Sequence, residues 1–285
     1  MQKLVSAGLQ TIGMLSPRLG GRLAFNLWRR PLARGRVRPE EQAVHDAARV
    51  EIVDNVKTYA WGDGKLPVLL VHGWRSRASR YAGFITRLLE LGYSPVSYDA
   101  PAHGDSDGEV VSILGHQRII RALEERHGPF EGVIAHSLGV PFALYAVREG
   151  VAAKRLVMIS GVADFGYLAD TFCAQLGLGP KINQQLRRRI EHGYFDGDDQ
   201  IWTRFSVTTG KLDLLVVHND EDEVVDPAQA QVLLRNYGSR AHFLPTTGLG
   251  HRRILSDPAV ITEAVAFLQD PDQDSDVPEG LDLSA

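Results

Sequence analysis

The sequence contains one cysteine, Cys173, among 285 residues. A lone thiol closes no internal disulfide and builds no thiolate metal cluster, which suits a reducing compartment. Neither an HExxH nor a CxxC pair is present, so there is no metal motif. No apolar run reaches the roughly 18 residues that a membrane-spanning helix needs. Behind Lys3, the apolar residues are interrupted by Gly8, Gln10, Thr11 and Gly13, so no continuous secretory core forms. A cytoplasmic protein is therefore expected, with no metal, no other cofactor and no nucleic-acid partner. Gly62-Asp63-Gly64-Lys65-Leu66 lacks both the first glycine and the Ser/Thr of a phosphate loop. Internal repeats are absent.

What is present is the composition of a globular protein, with 44% apolar and 23% charged residues. The length suits one domain with an inserted cap. The net charge of −4 hides an asymmetry: residues 1–39 carry eight bases and no acid, and residues 270–285 carry six acids and no base. Both read as terminal features separate from the body, the first a basic helical arm within residues 1–49, the second a disordered tail. In the arm, Leu4, Gly8, Ile12, Leu15, Leu19, Leu23 and Leu27 recur at helical spacing, with breaks at Ser16-Pro17 and Gly20-Gly21. The favoured reading is a helix pair packed on the body, because glycine weakens an isolated amphipathic helix. Weak contact of the basic arm with an anionic membrane surface is the alternative.

Short Val/Leu/Ile runs alternate with helical segments over residues 50–269. Strands are expected at 50–60, 67–72, 94–99, 131–136, 155–160, 212–218 and 240–245, and helices at 80–91, 111–127, 138–149, 227–237 and 257–269. This is the pattern of an α/β fold, a mostly parallel doubly wound sheet covered on both faces. Residues 161–206 break the rhythm and are rich in aromatics, including Phe165, Tyr167, Phe172, Tyr194, Phe195, Trp202 and Phe205. They read as a helical cap above the carboxyl ends of the strands, where ligands bind in such sheets. Phe165 and Trp202 are the candidate pocket residues. An oversized crossover with its own small core is the other reading.

Three distant positions carry the chemistry. The strand at 131–136 runs straight into Ser137-Leu138-Gly139 and a helix, a tight turn that presents a nucleophile beside helix N–H groups. Pro141 falls in the first turn of that helix, where its missing N–H costs little. The strand at 212–218 ends in an acidic loop containing Asp220, Glu221, Asp222 and Glu223, from which Asp222 is chosen ahead of Asp220. The strand at 240–245 leads to Gly248-Leu249-Gly250-His251, glycines that let a loop swing an imidazole over the sheet. The order Ser, Asp, His along the chain fits one fold's version of the catalytic triad. His251 would take the serine proton, and Asp222 would fix the imidazole tautomer. Backbone N–H groups of Leu138 and Trp74 would hold the oxyanion.

With Val71-His72-Gly73-Trp74, Asp99-Ala100-Pro101-Ala102-His103-Gly104-Asp105-Ser106, Ala135-His136-Ser137-Leu138-Gly139, residues 218–225 and residues 248–251 in this order, the chain resembles the α/β-hydrolase fold superfamily. The likeness is to its esterase/lipase and serine-aminopeptidase-like branch, and to bacterial members of unassigned substrate, and it covers about residues 50–269. It implies Ser137 as nucleophile, Asp222 as acid and His251 as base. Two positions depart from the family pattern: Ala135 stands for the first glycine of the elbow, and Asn219 for a usual glycine in the acid loop.

The other polar residues have plainer readings. His72 and His103 brace loops near the oxyanion site, His136 is a packing residue, and Asp99 and Asp105 hydrogen-bond their own turns. Arg252 and Arg253 pair with surface groups, or one of them meets an anionic substrate at the pocket rim. The expected activity is hydrolysis of a small-molecule carboxylic ester through an acyl-serine. Amide or peptide hydrolysis and acyl transfer use the same triad, and a hydrolase fold that only binds a ligand is the reading from another class.

Overall fold

The computed structural model describes residues 2–110 and 112–269. The acidic segment 270–285, expected to be a disordered tail, lies outside the described residues. Eight strands form one sheet: β1 (Arg49–Val53), β2 (Val56–Ala60), β3 (Pro67–Val71), β4 (Ser94–Tyr98), β5 (Phe130–His136), β6 (Ala153–Ile159), β7 (Asp213–Asn219) and β8 (Ala241–Thr246). Their spatial order is β1-β2-β4-β3-β5-β6-β7-β8. β1 and β2 pair antiparallel, as do β2 and β4, and all remaining pairs are parallel. Central strands β3 and β4 are buried along their whole length, as expected where both faces of a parallel sheet are covered.

The helices are α1 (Gln2–Leu15), α2 (Pro17–Trp28), α3 (Gln42–Asp46), α4 (Ala82–Glu90), α5 (Ile113–His127), α6 (Gly139–Arg148), α7 (Phe165–Gln175), α8 (Pro180–Tyr194), α9 (Ile201–Arg204), α10 (Ala228–Tyr237), α11 (Gly250–Arg253) and α12 (Pro258–Gln269). On one face of the sheet, Leu123, Ala143, Ala146 and Leu233 join Leu69, Val133 and Leu156 in one apolar cluster. On the other, Phe84, Ile85, Leu88, Ile261 and Val265 join Leu70, Ile134 and Val157. Among the described residues no helix is long and apolar enough to cross a membrane.

The stretch 50–60, read as one strand, is a hairpin. Asp54 and Asn55 both take positive φ, 47° and 63°, the geometry of a two-residue turn that suits the strand twist. Asx residues tolerate that conformation, which is why no glycine marked the turn.

The arm departs further from its sequence reading. Pro17 does start a new helix, with Ser16 accepting from Leu19 N–H, but α2 runs unbroken through Gly20-Gly21. The apolar stripe is not the buried face, since Leu15 and Leu19 are exposed while Leu9, Gly13, Gly20, Gly21 and Ala24 are buried. A Cβ on Gly21 would come within 2.3 Å of Gln185 Cβ in α8. Close approach of backbones, rather than a stripe of leucines, docks the arm. Nor is the arm separate from the body. Arg34 donates to the Ser106 carbonyl, Arg30 pairs with Glu109, and Glu41 accepts from Ser79 and pairs with Arg80.

Residues 161–206 fold into α7, α8 and α9 beyond the end of β6. Their core is shared rather than private: Phe165, Leu186 and Phe205 cluster with Leu9 and Ala24 of the arm and with Ile113 and Phe142. The cap therefore rests on the arm and on the tops of α5 and α6.

Candidate active site

Ser137 follows β5 directly and has φ +55°, in the left-handed region that a serine occupies only when the surrounding structure holds it there. Its N–H donates to the Ile159 carbonyl, and its own carbonyl receives Val140 N–H, which starts α6. The turn works because its neighbours are small. A Cβ on Gly139 would lie 2.3 Å from the Val71 carbonyl oxygen, and a Cβ on Gly73 would lie 2.7 Å from Ser137 Cβ. Ala135, the departure from the elbow pattern, is fully buried beside Val71 in the β3–β5 register. Its methyl points into the core cluster and leaves the turn unhindered.

His251 joins the three predicted positions. Its Nε2 is 3.0 Å from Ser137 Oγ and its Nδ1 is 2.8 Å from Asp222 Oδ2. Asp222 is buried, and its other oxygen accepts the N–H groups of Val224 and Val225, each at 2.9 Å. Burial works to raise the Asp222 carboxyl. The hydrogen bond with His251 and the two backbone donors outweigh it and hold the group down at about 2. An ionised carboxylate only accepts, so Nδ1 of His251 carries the proton and Nε2 faces the serine hydroxyl as an acceptor. Asp220, the second candidate for the acid, is exposed, as are Glu221 and Glu223.

Three residues given no such role in the sequence hold these loops together. Asn219, noted only as a missing glycine, accepts Leu249 N–H through Oδ1 at 2.9 Å and so ties the end of β7 to the His251 loop. His136, read as a packing residue, reaches the His251 carbonyl through Nε2 at 2.8 Å. His218 donates from Nε2 to the Val225 carbonyl at 3.0 Å, closing the acid loop. The Asn219 and His136 contacts cross between strand ends remote in sequence, so no spacing announces them.

Trp74 and Leu138 line the same cavity as Ser137. Neither backbone N–H donates to a protein acceptor among the described residues, which leaves two donors available beside Ser137. The Trp74 loop is braced by His72. Its Nδ1 donates to the Gly73 carbonyl at 2.8 Å, and its Nε2 accepts Ala100 N–H at 3.0 Å. Burial chiefly pushes His72 down to about 4, so it stays neutral in that role. Asp99 does more than close its own turn: it accepts from Ala78 N–H, Asp105 N–H and the Tyr59 hydroxyl. Arg77 lies beside it, 3.4 Å away, and pairs with Asp105.

The cavity holds about 230 Å³ between the elbow, α7, the end of α8 and the C-terminal end of α2. Phe165 lines it. Trp202 does not, because it stands behind Phe165 with ring centroids 5.7 Å apart, donates to Glu191 and lies under the Arg187 guanidinium. Arg252 and Arg253 are likewise not in the lining. Arg253 donates to the carbonyls of Gly248 and Leu249 and so closes the His251 loop. The cation in the lining is Arg29, from the arm.

The sequence pattern of the alpha/beta hydrolase family matches residues 68–264, which includes all three members of the bridged set. The chain belongs to the alpha/beta hydrolase family. Among solved structures, this alpha/beta hydrolase is similar to an esterase from Rhodococcus sp. ECU1013, with 14% identity, 79% of this chain and 99% of that chain covered and a TM-score of 0.58. It is also similar to an esterase from Exiguobacterium antarcticum, with 16% identity, 78% and 98% covered and a TM-score of 0.58. A monoacylglycerol lipase from Paleococcus ferrophilus shares 20% identity, with 75% and 97% covered and a TM-score of 0.56. At these identities the likeness is one of fold. No curated protein matches the chain in sequence. Trp28 and Arg29, which line the cavity, lie outside the segment that matches the family pattern.

Proposed function

We propose that this chain is a serine hydrolase that cleaves small carboxylic esters through an acyl-serine intermediate. The observation that carries the reading is the bridge from Asp222 through His251 to Ser137, at 2.8 and 3.0 Å. In the forward step Ser137 Oγ bonds to the ester carbon while its proton passes to His251 Nε2. The carbonyl oxygen takes the negative charge and is met by the N–H groups of Trp74 and Leu138. Each such donor is worth about 3 kcal/mol of barrier. Collapse breaks the ester C–O bond, and the alcohol leaves with the proton from His251. Water then attacks the acyl carbon as His251 takes its proton, the bond from that carbon to Ser137 Oγ breaks, His251 returns the proton to Oγ, and the carboxylic acid departs. Asp222 stays ionised throughout and stabilises the imidazolium.

An aminopeptidase would need a carboxylate in the pocket to receive the substrate's ammonium group. Among the described residues the cavity lining contains no Asp or Glu, and this favours the ester. A fluorophosphonate probe and a panel of nitrophenyl esters and aminoacyl anilides test the reading together. Covalent labelling that disappears in Ser137→Ala, with turnover of esters ahead of anilides, is the expected result. Folded protein that takes up no probe and turns over neither class is a ligand-binding member of the family instead.

A further inference from the structure

The cavity at Ser137 is mostly apolar and holds a single formal charge, Arg29. Arg29 caps the C-terminus of α2, its backbone N–H shared between the carbonyls of Leu27 and Phe25, so the helix fixes the base of the side chain. Packing of α2 on α8 sets it near Tyr194, the last residue of α8. Phe25 links the two, with its ring 5.4 Å from the guanidinium carbon and 5.7 Å from the Tyr194 ring.

Other bases of the arm are engaged, Arg30 with Glu109 and Arg34 with the Ser106 carbonyl. Arg29 makes no ion pair among the described residues, and its Nε is sealed from solvent with no hydrogen-bond partner. The Tyr194 hydroxyl is sealed beside it. Burial raises the Tyr194 phenol, and the Arg29 charge and a hydrogen bond with the Arg29 side chain pull it back down, so the two groups act on one another. A cation with no acidic partner in an apolar cavity carries a desolvation cost that an arriving anion removes.

We propose that Arg29, held beside Tyr194, binds a carboxylate on the substrate, so that the esters this site accepts carry an anionic end. The proposal rests on the ester-hydrolase reading and adds the substrate class. A guanidinium fork matches the two oxygens of a carboxylate. One cation in apolar surroundings is neutralised by one negative charge, whereas a dianionic phosphate would bring an excess charge out of water. The arm is then part of the specificity pocket, and the charged residue comes from outside the segment that matches the family.

The test compares 4-nitrophenyl esters whose acyl chains of four to eight carbons end either in a carboxylate or in a methyl ester. At the best length, the wild-type protein is expected to favour the carboxylate by about tenfold or more in kcat/KM, mainly through KM. Arg29→Gln should bring that ratio close to one, and Arg29→Lys should keep part of it. Because the ratio is internal to each variant, a general loss of folded protein cancels. A wild-type ratio of one or less at every length, or a ratio that Arg29→Gln leaves standing, overturns the proposal while the hydrolase reading survives. Calorimetric titration of monomethyl adipate and monomethyl pimelate into Ser137→Ala protein reads the anchor without turnover. Binding there that Arg29→Gln abolishes supports the anchor even if no ester is cleaved, in which case it is the hydrolase reading that fails.

Discussion

His136 Nε2 lies 2.8 Å from the backbone carbonyl of His251, and the two rings stand 4.7 Å apart. Burial above all, then the neighbouring His251, pushes His136 down to about 3. The ring is therefore neutral at working pH, and its Nε2–H is the donor to that carbonyl. One strand-end histidine thus holds the loop that carries the other, directly behind the nucleophile.

This bond has a kinetic consequence. His136→Leu keeps an apolar side chain in place but orphans the His251 carbonyl, at a cost of about 1–3 kcal/mol. Part of that cost appears as misplacement of the imidazole. We expect kcat to fall about tenfold or more with KM little changed, and His136→Gln, whose amide can reach the same carbonyl, to recover much of the loss. Steady-state kinetics on a neutral nitrophenyl ester separates this from simple destabilisation, which would lower both variants' active fraction without the rescue.

Asp222→Asn should be far more damaging than its size implies. An amide presents the wrong hydrogen-bonding pattern to Nδ1 and favours the tautomer that places a proton on Nε2, where an acceptor is required. In a Ser-His-Asp site that change costs about four powers of ten in kcat. Asp220→Asn, two residues away and exposed, should leave the rate within twofold. Equal effects of the two substitutions would dismiss the geometric assignment of the acid.

How far the sequence revealed this site follows from the range of the forces involved. Ser137, Asp222 and His251 each follow the end of a strand within a few residues, and the strand-then-turn pattern is written in nearby residues, so it was legible. The Ser112 cap of α5, which accepts Gly115 N–H, is local in the same way. Trp202 was misplaced because aromatic character marks burial but not which side of Phe165 it occupies. The arm was misread for a related reason. Its leucine stripe is regular, yet docking depends on how closely Gly13 and Gly21 let it approach α8, and a helical-periodicity count gives glycine no weight. Arg29 was therefore read only as part of a basic tract, and the search for a pocket cation fell on Arg252 and Arg253 beside His251.

The close approach at Gly73 bears directly on the oxyanion donors. A methyl there would stand 2.7 Å from Ser137 Cβ and 3.0 Å from the His136 carbonyl oxygen. Both neighbours are anchored, so the Trp74 loop has to retreat and take its N–H with it. Gly73→Ala should lower kcat by about a hundredfold, the loss associated with one oxyanion donor. Fluorophosphonate labelling should slow in parallel, since its phosphoryl oxygen uses the same donors. An unchanged labelling rate would remove Trp74 from the oxyanion site.

The same cluster makes the fold sensitive to acid in a defined window. His72 and His103 are pushed down to about 4 and His136 to about 3, and His116 lies well below its ordinary value, with burial the leading cause in each. The unfolded chain protonates these rings near 6.5, so between 6.5 and about 4 it binds protons that the native state refuses. Under linkage, stability is complete above pH 6.5 and declines as the pH falls, by up to about 1.4 kcal/mol per pH unit for each ring still neutral in the fold. Below that range Asp222, held at about 2 against 3.8, adds a further loss as it protonates. Urea unfolding followed from pH 8 to 4.5 should show a plateau and then a slope of more than one proton. A free energy that stays level down to pH 4.5 would mean that these rings are charged in the native state, and the neutral bracing assigned to His72 and His136 would fall with it.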